Sequence, residues 1–186
     1  MYLFHDLKLI YIIVPGTGSN SFHESLKVRY KNWERVRVAL SHPAWGMDMQ
    51  ISNPAHFTSR QARIMIEPPH WNHYKKIAFV RHPYDWINCL YNKGGLKNSI
   101  GEDNSVPIHT FIRNLKITPY HWFTDIDGSL LIDTIYRTED LNTILLNTFE
   151  CVPKHLNSSG GRRWAFSDDD KTLIKEKFYR EFEHYA

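Results

Sequence analysis

With 186 residues, 42% of them hydrophobic and 14% aromatic, the chain has the material for one domain, residues 1–186, with a substantial core. A formal net charge of +3 suits a small anionic ligand and falls short of the dense basic stripe that marks a nucleic-acid binder, so no nucleic-acid partner is expected. No apolar stretch is long enough for a transmembrane segment, and two cysteines, Cys89 and Cys151, make neither a disulfide framework nor a metal or redox CxxC site.

The expectation is a soluble, cytoplasmic protein with reduced thiols, a single bridge being the alternative. The apolar run near the start reads as a strand leading into a loop, not as a signal peptide. Lys8 to Val14 is that first strand, apolar enough to be buried on both faces as in a parallel sheet. Pro15-Gly16-Thr17-Gly18-Ser19-Asn20-Ser21 follows as a small-residue loop, and Phe22 to Tyr30 reads as helix. Arg35 to Leu40 alternates like a second strand, ended by Ser41-His42-Pro43. Ala44 to Pro54 is loop-like, Thr58 to Ile66 helical, and Pro68-Pro69 reads as its stop.

Lys75 to Val80 is a third strand. Its exit, Arg81-His82-Pro83, opens a helix that runs until Gly94-Gly95. Lys97 to Val106 is a polar loop, Val106 to Leu115 a short helix, and Asp125-Ile126-Asp127-Gly128 a turn. Leu131 to Tyr136 is a fourth strand. Thr138 caps a helix ending near Phe149, and Ser167-Asp168-Asp169 caps the last helix, which reaches about Phe182. Strands alternating with helices predict an α/β fold with a mainly parallel sheet flanked by helices, whose ligand crevice lies at the carboxyl ends of the strands.

A strand, a Gly/Ser/Thr turn and a helix in that order let backbone N–H groups and the positive end of a helix dipole converge on an anion, of which phosphate is the natural one. The loop has neither the lysine of a Walker A sequence nor the third glycine of a dinucleotide fingerprint, and an ordinary strand-to-helix turn is the competing reading. Arg81, at a strand end before a helix, can place its guanidinium on a phosphate or pair with Asp85 or Glu139. His70 and His73 have no supporting ligand cluster, and Asp125 to Gly128 lacks the closing glutamate of a calcium loop, so no metal is expected. Trp71, Tyr74, Phe79, Tyr84 and Trp86 read as core.

Together these segments resemble the sulfotransferases that use 3′-phosphoadenosine 5′-phosphosulfate (PAPS), most of all the carbohydrate-type and the phage and bacterial members. Ile13 through Phe22 is similar to their 5′-phosphosulfate loop. Tyr74 through Asp85, with Val80-Arg81-His82-Pro83-Tyr84, is similar to their 3′-phosphate motif. Gly128 through Leu141, His155 through Ser159 and Phe178 through Tyr185 are similar to later family segments, so the resemblance spans nearly the whole chain.

The resemblance implies a sulfotransferase-like α/β fold with a P-loop-like phosphate-binding strand-loop-helix. It implies transfer of a sulfuryl group, without a metal, to a hydroxyl acceptor such as a glycan or a small molecule. It assigns Pro15, Gly16, Thr17, Gly18, Ser19, Asn20, Ser21, Arg81, Cys89, Arg137, Arg162 and Arg163 to the nucleotide, and His56 or His42 to the catalytic base.

The chain departs from the family at Gly16, where a lysine or arginine is usual, at Cys89, where serine is usual, and at Trp86, where a second arginine is usual. Arg162 and Arg163 are the expected substitute cations. His23 is nearer but weaker, and Lys27 lies about 16 Å beyond Gly16 along a helix. The alternatives are a nucleotide-binding protein of the same fold with impaired catalysis, and a small P-loop kinase, for which a loop lysine and a magnesium carboxylate are missing.

Overall fold

The computed structural model describes residues 1–36, 56–92, 105–154, 156 and 163–186. They form an α/β fold around a mixed five-stranded sheet. In chain order the strands are β1 (Tyr2–Phe4), β2 (Leu9–Tyr11), β3 (Trp33–Arg35), β4 (Lys75–Val80) and β5 (Thr134–Arg137), arranged β3-β1-β2-β4-β5. The helices are α1 (Ser19–Arg29), α2 (Ser59–Met65), α3 (Pro68–His73), α4 (Pro83–Asn92), α5 (Ile108–Asn114), α6 (Leu141–Asn147), α7 (Asp168–Lys177) and α8 (Tyr179–Phe182).

The sheet is parallel only from β2 onward. Leu9 pairs with Lys75 and Tyr11 with Ile77 in parallel, and β4 pairs with β5 from Ile77–Thr134 to Val80–Arg137. In the other half β1 runs antiparallel to both β2 and β3, which corrects the expectation of a mainly parallel sheet. The cause is local: a tight turn over His5–Leu7, closed by Lys8 at φ 47°, folds Tyr2–Phe4 back on β2 as a hairpin. That strand was not anticipated. A short edge strand, β3, ends at Arg35, where the second expected strand begins, and residues 37–40 of that expectation lie outside the described residues. Ser41 and His42 lie outside the described residues.

Pairing on β2 and β4 alternates side chains between two cores. Ile10, Ile12, Val14, Ala78 and Val80 face one side, and Leu9, Tyr11, Ile13, Ile77 and Phe79 the other. The first core is covered by α2, α3, α4, α5 and α7 through Ala62, Trp71, Trp86, Phe111 and Ile174. The second is covered by α1 and α6 through Phe22, Leu26 and Leu145. Phe22 ties α1 down, its ring centroid 4.7 Å from Tyr11 and 4.9 Å from Phe79. Both cysteines are buried and free.

Helix ends follow their caps. Thr58 and Ser167 each close a capping box, on Gln61 and Asp170. The helix α2 stops at Met65, ahead of Pro68 and Pro69 as expected, and the two prolines also start α3, because a proline in the first helical turn forfeits no hydrogen bond. Asp125 to Gly128 is the predicted turn: the Gly128 amide donates to the Asp125 carbonyl at 3.1 Å, with Gly128 at φ 82°. No described helix is long and apolar enough to cross a membrane.

Candidate functional site

The parallel half of the sheet brings three strand exits to one edge: residues 15–18 after β2, Arg81 after β4 and Thr138 after β5. These exits are bonded to one another. The Arg81 Nη1 donates to the Gly16 carbonyl at 3.2 Å, and the Trp86 Nε1 donates to the Pro15 carbonyl at 2.7 Å. Thr138 Oγ1 donates to the Val80 carbonyl at 3.0 Å, and Thr17 Oγ1, fully buried, closes its own turn on the Val14 carbonyl at 2.9 Å. Neither expected partner of Arg81 is taken up by it. Asp85 faces Arg163 at 3.7 Å, while Glu139 accepts from the His82 amide at 3.0 Å and the Tyr185 hydroxyl at 2.7 Å.

The turn itself depends on two glycines in the left-handed region, Gly16 at φ 80° and Gly18 at φ 70°. A Cβ at Gly16 would stand 3.4 Å from both Cys89 Sγ and Trp86 Cδ1, and one at Gly18 3.3 Å from Leu141 Cδ2. Gly18 is the N-cap of α1 and has no side chain to cap it, so the first amides of α1, from Ser19 onward, have no capping side chain among the described residues. Carbonyls tied inward and amides left open make a loop with an electropositive outer face.

On the β1 side of the loop lies a cavity of about 450 Å³. Gly16, Ser19 and Asn20 form its loop end, His56 a wall, and Lys27 and Arg35 line it as well. The His56 Nδ1 lies 3.3 Å from the Ile13 carbonyl. A carbonyl only accepts, so the proton sits on Nδ1 and the lone pair on Nε2. Burial holds His56 far below its ordinary pKa, at about 4. His23 is held at about 4 by burial and by the nearby Lys27 charge, with Nε2 3.1 Å from Glu24 Oε1. Both imidazoles are therefore neutral at pH 7.

Lys27, set aside in the sequence reading for its distance from Gly16, lines the same cavity as Gly16. Helical side chains lean toward the N-terminus, and Ser19, His23 and Lys27, spaced by four, share one face of α1 that borders the cavity. That spacing was the available signal. Arg35 carried none, because its position depends on the hairpin that sets β3 beside β1.

The remaining predicted residues are placed as follows. The Ser21 hydroxyl is turned to the late segment, donating to the Leu156 carbonyl at 3.0 Å and accepting from its amide at 3.1 Å. Cys89 is buried behind Gly16. Arg137, beyond β4 at the strand end, pairs with Asp140 at 2.6 Å and stacks over Tyr185. Arg163 is 87% exposed beside α4, while Arg162, His155 and His42 lie outside the described residues.

Glu181, within the segment Phe178 through Tyr185, is buried. It accepts from the Tyr120 amide at 3.0 Å, and burial raises its pKa. No group of metal-ligating side chains occurs among the described residues. No protein-family model, no curated protein and no solved structure matches this chain.

Proposed function

We propose that the protein binds 3′-phosphoadenosine 5′-phosphosulfate across the edge between β2 and β4 and transfers its sulfuryl group to a hydroxyl acceptor. The observation that carries this reading is the join between loop and arginine. Arg81, on the neighbouring parallel strand, is held against Gly16 by one of its five donors, which leaves the others for a phosphate while the amides at the start of α1 meet a second. Two anion sites on adjacent strand ends fit a nucleotide with phosphates at both ends of its ribose.

Sulfuryl transfer needs positioning and charge stabilisation more than covalent help. The acceptor oxygen forms a new bond to sulfur as the bond from sulfur to the bridging phosphate oxygen breaks. The acceptor proton goes to His56 Nε2, and adenosine 3′,5′-bisphosphate leaves. An imidazole held at about 4 is a weak base, and the dianionic phosphosulfate of the donor beside it raises that value by stabilising the imidazolium.

Gly16 supports a second reading, a binder that has lost turnover, because it contributes no cation to the leaving oxygen. A small kinase lacks the loop lysine.

Calorimetry tests the proposal. Adenosine 3′,5′-bisphosphate should bind well more tightly than adenosine 5′-phosphate, without magnesium. Arg81→Ala should weaken the bisphosphate by about 1.5–3 kcal/mol and the monophosphate much less. Equal losses for the two ligands would remove Arg81 from the 3′-phosphate. Tighter binding of ATP with magnesium would favour the kinase, and bisphosphate binding without sulfuryl release would favour the binder.

A further inference from the structure

The cavity beside the loop extends well past the point where chemistry would occur. Ser19 stands at its loop end, and Lys27 lies two turns further along α1, about 12 Å away at the backbone. Its volume of about 450 Å³ falls within the ~300–1,000 Å³ range of small-molecule sites.

Among the described residues that line it the charges are unequal. Lys27 and Arg35 stand against one carboxylate, Glu24, and the two histidines are uncharged at pH 7. Glu24 is engaged by Lys27 Nζ at 2.6 Å. Lys27 is also fixed in place, 4.3 Å from the Trp33 ring centroid and 4.8 Å from that of Tyr2. Arg35 ends the edge strand over Tyr2 and has no carboxylate partner among the described residues. A lysine held between two rings and an arginine with no carboxylate partner among the described residues, the lysine two turns along α1 from the loop, are suited to an anion other than the one at the loop.

We infer that this cavity is the acceptor site and that the acceptor is itself anionic: a small hydroxyl compound, such as an acidic sugar, whose carboxylate or phosphate is held by Lys27 and Arg35 while its hydroxyl reaches His56. The inference rests on the sulfuryl-transfer reading for the word acceptor, but the anion site stands on the cavity alone.

The test uses the full chain, with and without saturating adenosine 3′,5′-bisphosphate. The probes are a glucuronate–N-acetylglucosamine disaccharide and its neutral counterpart, with glucose in place of glucuronate. The acidic disaccharide should bind about tenfold more tightly than the neutral one, the scale of a charge-assisted contact at a partly open site. Lys27→Gln and Arg35→Gln should each remove most of that preference while leaving the neutral sugar and the bisphosphate unaffected.

Equal binding of the two disaccharides, or equal losses for both in the variants, overturns the inference and leaves the nucleotide reading intact. Charge-dependent sugar binding by a protein that does not bind the bisphosphate supports the anion site and removes the donor reading. Since Lys27 also packs on Tyr2 and Trp33, Arg35→Gln, at an exposed strand end, keeps the test valid if Lys27→Gln lowers the melting temperature.

Discussion

The two flanks of the loop at residues 15–18 are built differently. On the β4 side each outward feature is tied down: the Pro15 carbonyl by Trp86, the Gly16 carbonyl by Arg81, the Val80 carbonyl by Thr138. On the β1 side the same loop opens on a cavity walled by two neutral histidines and lined by Lys27 and Arg35. A loop with its carbonyls bonded on one flank presents its amides on the other face. Rigidity on the closed flank is therefore what gives the open flank a fixed electrostatic character. The closed flank should govern stability, and the open flank should govern pH response and ligand selection.

Breaking the closed flank should have the largest effect. Trp86 is fully buried, packs at 5.6 Å against Phe178 and donates to Pro15. Trp86→Ala should cost about 3–5 kcal/mol in denaturant unfolding, and Trp86→Phe, which keeps a ring but leaves the Pro15 carbonyl unmet, about 1–3 kcal/mol. If Trp86→Phe costs nothing, the bond to Pro15 does not hold the loop.

The open flank is broken by acid. His23 and His56 have folded pKa values of about 4, against an ordinary value near 6.5. Between those limits the unfolded chain binds more protons than the folded one. The contribution of each histidine is therefore complete above about pH 6.5, declines as pH falls, and is exhausted below about pH 4. Each should contribute on the order of 2 kcal/mol to the fall in stability between pH 7 and pH 4. Carboxylates titrate in the lower part of this window, so the measurement is the difference between the wild-type slope and that of His23→Gln or His56→Gln. An unchanged slope in both variants would mean that the two imidazoles ionise freely in the folded protein.

The same contrast explains what the sequence disclosed. The closed flank was legible because its causes are local. The apolar runs of β2 and β4, the proline opening α4 and the Gly-rich turn each carry a pattern readable within a few residues, and Lys75–Val80 matches its predicted span. The open flank is assembled from non-local pairings. Tyr2–Phe4 reads as the front of an apolar run until the hairpin turn at His5–Leu7 separates it, and only that hairpin brings Arg35 beside Tyr2. Arg81 was legible as a residue but not in its partner. Asp85 and Glu139 are nearer in kind, yet the guanidinium meets a backbone carbonyl, which no sequence pattern encodes. What the sequence did not disclose about Lys27 is that the cavity beside the loop reaches two turns along α1 to meet it.

The last test concerns Gly16, a loop residue that faces both flanks. Gly16 borders the open cavity, while a Cβ on it would point at the closed flank, 3.4 Å from Cys89 Sγ and Trp86 Cδ1. Its φ of 80° adds a conformational penalty for any other residue. Gly16→Ala should therefore cost about 1–2 kcal/mol, and Gly16→Lys should cost as much without raising the rate of the proposed sulfuryl release, since the added side chain starts toward Trp86 and not toward the cavity. Adding Cys89→Ala to Gly16→Ala separates the causes. Recovery of most of the loss would mean that crowding on the closed flank excludes a side chain, while no recovery would leave the backbone conformation as the reason. A Gly16→Lys protein as stable as the native one, with faster sulfuryl release, would show that the loop tolerates a cation and that the open flank does not supply one.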